Sequence, residues 1–201
     1  MAKKEFPSWD DLYRDNEVEK MPWFEKNLDE DVKRVIASQN LTHGRFLDLG
    51  TGPGTQAMQL TKLGFDVTGS DLSSHAIERA QKLCPETSYV VDDILNSRFR
   101  EDEFDFILDR GVFHVFEQEK IPTYLDQITR ILRKEGILFL KCMSVEEKNF
   151  EDGRGPYLYS KEQLRKIFGE RFEIKSIIDS VFHGTLNPLP KALFSVMINK
   201  K

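Results

Sequence analysis

Only two cysteines, Cys84 and Cys142, occur in the 201 residues, far apart and outside any CxxC or Cys/His ligand spacing. Neither a disulfide framework nor a metal site is therefore expected. No apolar run approaches the roughly 20 residues that cross a bilayer, so no membrane partner is expected either. Positive charge is not in excess: 29 Lys+Arg stand against 34 Asp+Glu, a net charge of −5. That balance argues against a dedicated nucleic-acid binder, which presents a basic face. Internal repeats, low-complexity tracts and Ser/Gly linkers are missing, and Met1-Ala2-Lys3-Lys4-Glu5-Phe6-Pro7 lacks the apolar core of a secretory signal. The expectation is one globular, cytoplasmic domain over residues 1–201, monomeric rather than oligomeric, and long enough to bury a substantial core.

Against these absences stands a regular alternation. Leu28, Val32, Val35 and Ile36 have helical spacing, and Arg45-Phe46-Leu47-Asp48-Leu49 is a short apolar run ending in glycines. The pattern predicts a helix over 55–63, a strand over 65–70, a helix over 74–83 and strands over 88–91 and 104–108. Ile121, Leu125, Ile128, Ile131 and Leu132 predict a long helix, closed by Lys134-Glu135-Gly136 before a strand over 137–143. Ser160-Lys161-Glu162-Gln163 is a capping box opening a helix that ends near Gly169. Strands follow over 172–178 and 192–198, with Gly184 and Asn187-Pro188-Leu189-Pro190 reversing the chain between them. Strands alternating with helices imply a mostly parallel sheet covered on both faces, with an antiparallel pair at its end.

Asp48-Leu49-Gly50-Thr51-Gly52-Pro53-Gly54 lies between the first strand and a helix. Glycines there let backbone N–H groups approach a ligand at a helix N-terminus. The spacing differs from the dinucleotide pattern, and Asp48 would repel a pyrophosphate while favouring a ligand that carries cationic groups. Asp71 ends the second strand, where a carboxylate can take ribose hydroxyls or cap a helix. Asp93, beside Asp92, ends the third, where a carboxylate can accept from a purine amino group.

With Gly69-Ser70-Asp71-Leu72-Ser73, Asp93-Ile94, Phe104 to His114 and Leu132-Arg133-Lys134-Glu135-Gly136, these motifs resemble the class I S-adenosylmethionine-dependent methyltransferases. Within them the chain looks most like the small-molecule group around the thiopurine and tellurite-resistance enzymes. The resemblance implies an α/β, Rossmann-like sheet of seven strands in the order 3-2-1-4-5-7-6, strand 7 antiparallel. It also implies S-adenosylmethionine as cofactor, held by Asp48, Gly50, Thr51, Gly52, Gly54, Asp71, Leu72, Asp93, Ile94 and Asp109. Leu72 and Ile94 would flank the adenine.

Arg110 and His114 then stand where the methyl group and its acceptor would meet. Arg110 reads equally as a pocket residue or a surface ion pair; His114 as a pocket-lining group, a general base or a structural histidine. Asp109-Arg110-Gly111-Val112 stands where amino-group methylases of adenine or glutamine carry Asn/Asp-Pro-Pro-Tyr, which with the acidic charge favours a small-molecule acceptor. The subgroup resemblance implies a thiol or another soft nucleophile, with O- or N-methylation of a metabolite, or non-catalytic binding of S-adenosylmethionine, as alternatives. Residues 144–157 are expected to form a lid, and residues 1–27, with Trp9, Tyr13 and Trp23, a cap over the cofactor.

Overall fold

The computed structural model describes residues 6, 8–148 and 155–201. Seven strands form one sheet in the order β3-β2-β1-β4-β5-β7-β6, as the resemblance implies. They are β1 (Arg45–Leu49), β2 (Asp66–Asp71), β3 (Ser88–Val91), β4 (Phe104–Arg110), β5 (Leu132–Met143), β6 (Phe172–Val181) and β7 (Lys191–Asn199). The first five are parallel, and β7 runs antiparallel between β5 and β6. The helices are α1 (Trp9–Asp15), α2 (Glu30–Ser38), α3 (Thr55–Lys62), α4 (Ser74–Leu83), α5 (Ile121–Ile131) and α6 (Lys161–Phe168).

Side chains alternate across the sheet, so each central strand feeds two cores. Phe46, Phe106, Leu108, Ile137 and Phe139 pack with α2 and α3 on one face. Leu47, Ile107, Leu138 and Leu140 pack with α5 and α6 on the other. The same parity places Asp48, Arg110 and Lys141 on the α2/α3 face and Asp109 on the α5/α6 face. Register aligns the strand ends: Leu49 pairs with Ser70 on one side and with Asp109 on the other. The crossovers therefore deliver Gly50–Gly54, Asp71, Asp93 and Arg110 to one edge of the sheet.

Several boundaries differ from the pattern: β4 and β6 run on to Arg110 and Val181, and the end of α5 is reset. α5 stops at Ile131, and Leu132 already pairs with Phe104 before a register shift and Glu135 at φ 59°. The Asn199 amide donates to the carbonyls of Thr129, in the last turn of α5, and of Leu132 and Arg133 just beyond it, so these acceptors are partnered without a further helical turn.

Candidate functional site

Gly50, Gly52 and Gly54 have φ of 66°, 54° and 83°, a region that disfavours any residue with a Cβ. A Cβ would also collide, at Gly50 with Val112 Cγ2 (2.2 Å) and at Gly52 with the Tyr13 hydroxyl (2.6 Å). The loop is tied from beneath by Asp48, whose Oδ2 accepts from the Thr51 hydroxyl (2.6 Å) and the Ala57 amide (3.0 Å). Burial raises the Asp48 carboxyl to about 7.

Asp71 accepts from the Gly52 amide and the Ser73 amide, both at 2.9 Å, and burial raises its pKa too. It therefore braces the glycine loop while ending β2. Leu72 beside it is 58% exposed, an apolar surface next to a carboxylate. Of the adjacent acids, Asp92 turns inward to accept from the Arg98 amide, whereas Asp93 is exposed and caps the turn at Ile94–Asn96. Ile94 opens that turn and is buried against the α5 side of the core.

The end of β4 is arranged differently from the expectation. The Asp109 carboxylate points away from the glycine loop: it accepts from the amides of Gly111, Val112 and Phe113 and from the Tyr124 hydroxyl (2.7 Å). Burial lifts it to about 6. These contacts tie it to the turn after β4 and to α5. The Arg110 side chain is only 8% exposed and donates to Asp29 Oδ2 (3.1 Å), the Trp23 carbonyl (3.1 Å) and the His183 carbonyl (2.6 Å). His114 lies against Gly111 and Phe182, and its Nδ1 accepts the Met143 amide (3.0 Å). With Nδ1 occupied as an acceptor, Nε2 is the ring nitrogen that faces the turn at Gly111.

Sequence patterns did not single out the residues around Arg110. Asp29 caps α2 and receives Lys141 Nζ at 2.7 and 2.6 Å, and Lys141 also pairs with Asp31 (2.8 Å). Gln56 on α3 accepts from the Asp29 amide (2.8 Å) and donates to the Asn27 (2.8 Å) and Glu25 (3.2 Å) carbonyls. A lysine inside the apolar run Ile137-Leu138-Phe139-Leu140-Lys141-Cys142-Met143 was the available signal, because a charge on a central strand needs a buried partner.

Of the expected cap at 1–27, residues 1–5 and 7 lie outside the described residues. Tyr13 is buried over Gly52 and accepts from Trp23 Nε1 (3.4 Å). α1 is docked by Asp10, which accepts from the Ser73 and Ser74 hydroxyls and the His75 amide and faces His75 Nδ1 at 2.9 Å. The amide of His75, first among these contacts, holds Asp10 below the usual carboxylate range. Of the expected lid at 144–157, residues 149–154 lie outside the described residues. Its flanks are tied at Val145 N–H to the Tyr159 carbonyl and Tyr157 N–H to the His114 carbonyl.

Residues 46–136 match the family model described as a methyltransferase domain. A probable thiol methyltransferase 2 of Arabidopsis thaliana is 26% identical over 157 residues, covering 74% of this chain and 67% of the relative. EEF1A lysine methyltransferase 2 of Homo sapiens is 26% identical over 140 residues, 64% of this chain and 53% of the relative. An uncharacterized methyltransferase of Schizosaccharomyces pombe is 32% identical over 111 residues, 53% of this chain and 77% of the relative. The chain thus spans from about half to about three quarters of the length of these relatives.

Proposed function

This chain belongs to the S-adenosylmethionine-dependent methyltransferases, and from that premise we propose that it methylates a small molecule on a thiol or another soft nucleophile. The cofactor supplies an electrophilic methyl group on a sulfonium. The chain's residues fit it: three glycines at positive φ form a cradle, and exposed Leu72 adjoins Asp71 where an adenosine would cover it. In this reading the Gly50–Gly54 backbone holds the methionine part, with Thr51 fixed by Asp48. Asp71 takes the ribose, Asp93 the adenine amino group, and Leu72 and Ile94 its faces. Tyr13 walls the site above Gly52.

The observation that carries the acceptor class is the state of the polar groups after β4. Asp109, Arg110 and the Nδ1 of His114 are each engaged with protein partners. Phe182 packs against both His114 and Arg110, and the Met143 amide bonds His114, so the surroundings of these groups are apolar. An acceptor that arrives as a thiolate needs alignment and exclusion of water but no strong base, whereas a hydroxyl needs one. The similarity to a lysine methyltransferase favours a second reading, transfer to a protein amino group. Measuring S-adenosylhomocysteine release with thiols, alcohols, amines and a lysine peptide separates the two. Turnover with thiols supports the first reading, and turnover confined to amines or the peptide overturns it.

Two further outcomes concern the cofactor. Asp71→Ala should weaken S-adenosylhomocysteine binding by about 1.5–3 kcal/mol, the range for a lost charged hydrogen bond. Calorimetry giving the wild-type affinity in a folded variant would leave Asp71 as a brace of the loop only. Asp48 should make binding depend on pH. A cationic ligand favours its ionised form, so affinity should rise with pH up to about 7, by at most about tenfold per pH unit for one linked proton. Asp48→Asn should flatten that dependence. The stability linkage has the opposite slope: the folded chain keeps a proton that the unfolded chain releases. Stability from this group is therefore full at low pH and is lost as pH rises through about 7.

A further inference from the structure

The Arg110 guanidinium joins two segments distant in sequence. Through its terminal nitrogens it donates to the Trp23 carbonyl (3.1 Å) before α2 and to the His183 carbonyl (2.6 Å) between β6 and β7. Its Nε donates to Asp29 (3.1 Å), and its plane lies over the Phe182 ring, 5.4 Å from the centroid. The two segments also touch directly. Thr185 N–H donates to the Pro22 carbonyl (3.2 Å) and the Thr185 hydroxyl to the Met21 carbonyl (3.3 Å). At Gly184 a Cβ would lie 2.0 Å from the Pro22 carbonyl oxygen, so the approach requires glycine. Gln56, in the helix opened by the glycine loop, holds residues 25–29 from the opposite side.

We propose that Arg110 is a positioning residue that latches residues 21–24 and 182–185 into one roof over the acceptor end of the site. The inference rests on the methyl-transfer reading only for where the acceptor sits. A planar fork with five N–H donors can reach two carbonyls and a carboxylate at once, which a single ammonium on a flexible stem does not reproduce. Because Asp29 already answers its charge, Arg110 does not serve as the counter-ion for an anionic acceptor. The roof sets how well an acceptor is held, while the glycine loop and Asp71 supply most of the hold on the cofactor, which Trp23 touches only through Tyr13.

The test uses the full chain with S-adenosylhomocysteine bound, comparing wild type with Arg110→Lys, Arg110→Met and Gly184→Ala. Amide exchange in 21–24 and 182–185 should accelerate together by about tenfold or more in all three variants, since the segments open as a unit. S-adenosylhomocysteine affinity should stay within about twofold, and the KM of a turned-over acceptor should rise about tenfold with kcat changed less than about threefold. Exchange unchanged in either segment overturns the latch, as does full restoration by lysine, which would mean that charge alone matters. A fall in kcat at constant KM would also overturn it, by placing Arg110 at the reacting atoms. Gly184→Ala presses the same two segments apart at Pro22 with Arg110 intact, so it shows whether they open together; if Arg110→Met does not fold, Arg110→Lys, which keeps the charge and loses the fork, decides the role of Arg110. Exchange and product affinity need no acceptor, so a wrong acceptor class shows as absent wild-type turnover while the two segments still loosen together.

Discussion

Asp29→Ala should lower the folding free energy by about 3–5 kcal/mol, the range found when one partner of a buried ion pair is removed. Asp29 and Lys141 are each 1% exposed, and Arg110 shares the same carboxylate. Alanine would leave Lys141 with Asp31 and the Val181 carbonyl, and Arg110 with carbonyls alone. It would also remove the α2 cap to the Asp31 amide, worth about 1 kcal/mol by itself. Chemical denaturation measures the loss directly. Adding Lys141→Met should recover part of it, because the ammonium no longer needs a counter-charge; the coupling follows from a double-mutant cycle. A loss below about 1 kcal/mol would instead give the cluster the weight of a solvent-screened surface pair.

Gly52→Val should reduce S-adenosylhomocysteine affinity by about 100-fold or more, equivalent to roughly 2.7 kcal/mol. Two effects act in the same direction. The φ of 54° costs an L-residue about 1–2 kcal/mol, more for a β-branched one. The new side chain would also be driven into the Tyr13 hydroxyl, and the loop cannot give way without breaking the Gly52 N–H bond to Asp71. Truncating Tyr13 to alanine in the Gly52→Val background should return some thermal stability but not the affinity, because the backbone strain and the displaced carboxylate remain. Calorimetry showing wild-type affinity in a folded Gly52→Val protein would remove the glycine loop from the cofactor site.

Local patterns in the chain were sufficient for much of this protein. The alternation of apolar runs with helical spacings, the Ser160–Gln163 capping box and the turn at 184–190 determined the elements from α2 onward, though not α1, and with the motif resemblance the strand order. These are short-range signals, written in neighbouring residues. The acids at 48, 71 and 93 were legible as strand ends, and parallel register then brings such ends together without further information.

The direction and partners of each side chain were a different matter. Asp109 and Arg110 are neighbours, yet strand parity sends one to Tyr124 and the other to Asp29. That parity could have been counted in advance; the partners could not. Asp29 meets Arg110 across 81 positions and Lys141 across 112, and Tyr13 meets Gly52 only because α1 folds back onto α4. Periodicity and propensity describe residues a few positions apart. A buried charge finds its counter-ion through the packing of whole elements, so only the tertiary structure decided which cations Asp29 answers and what closes over the glycine loop.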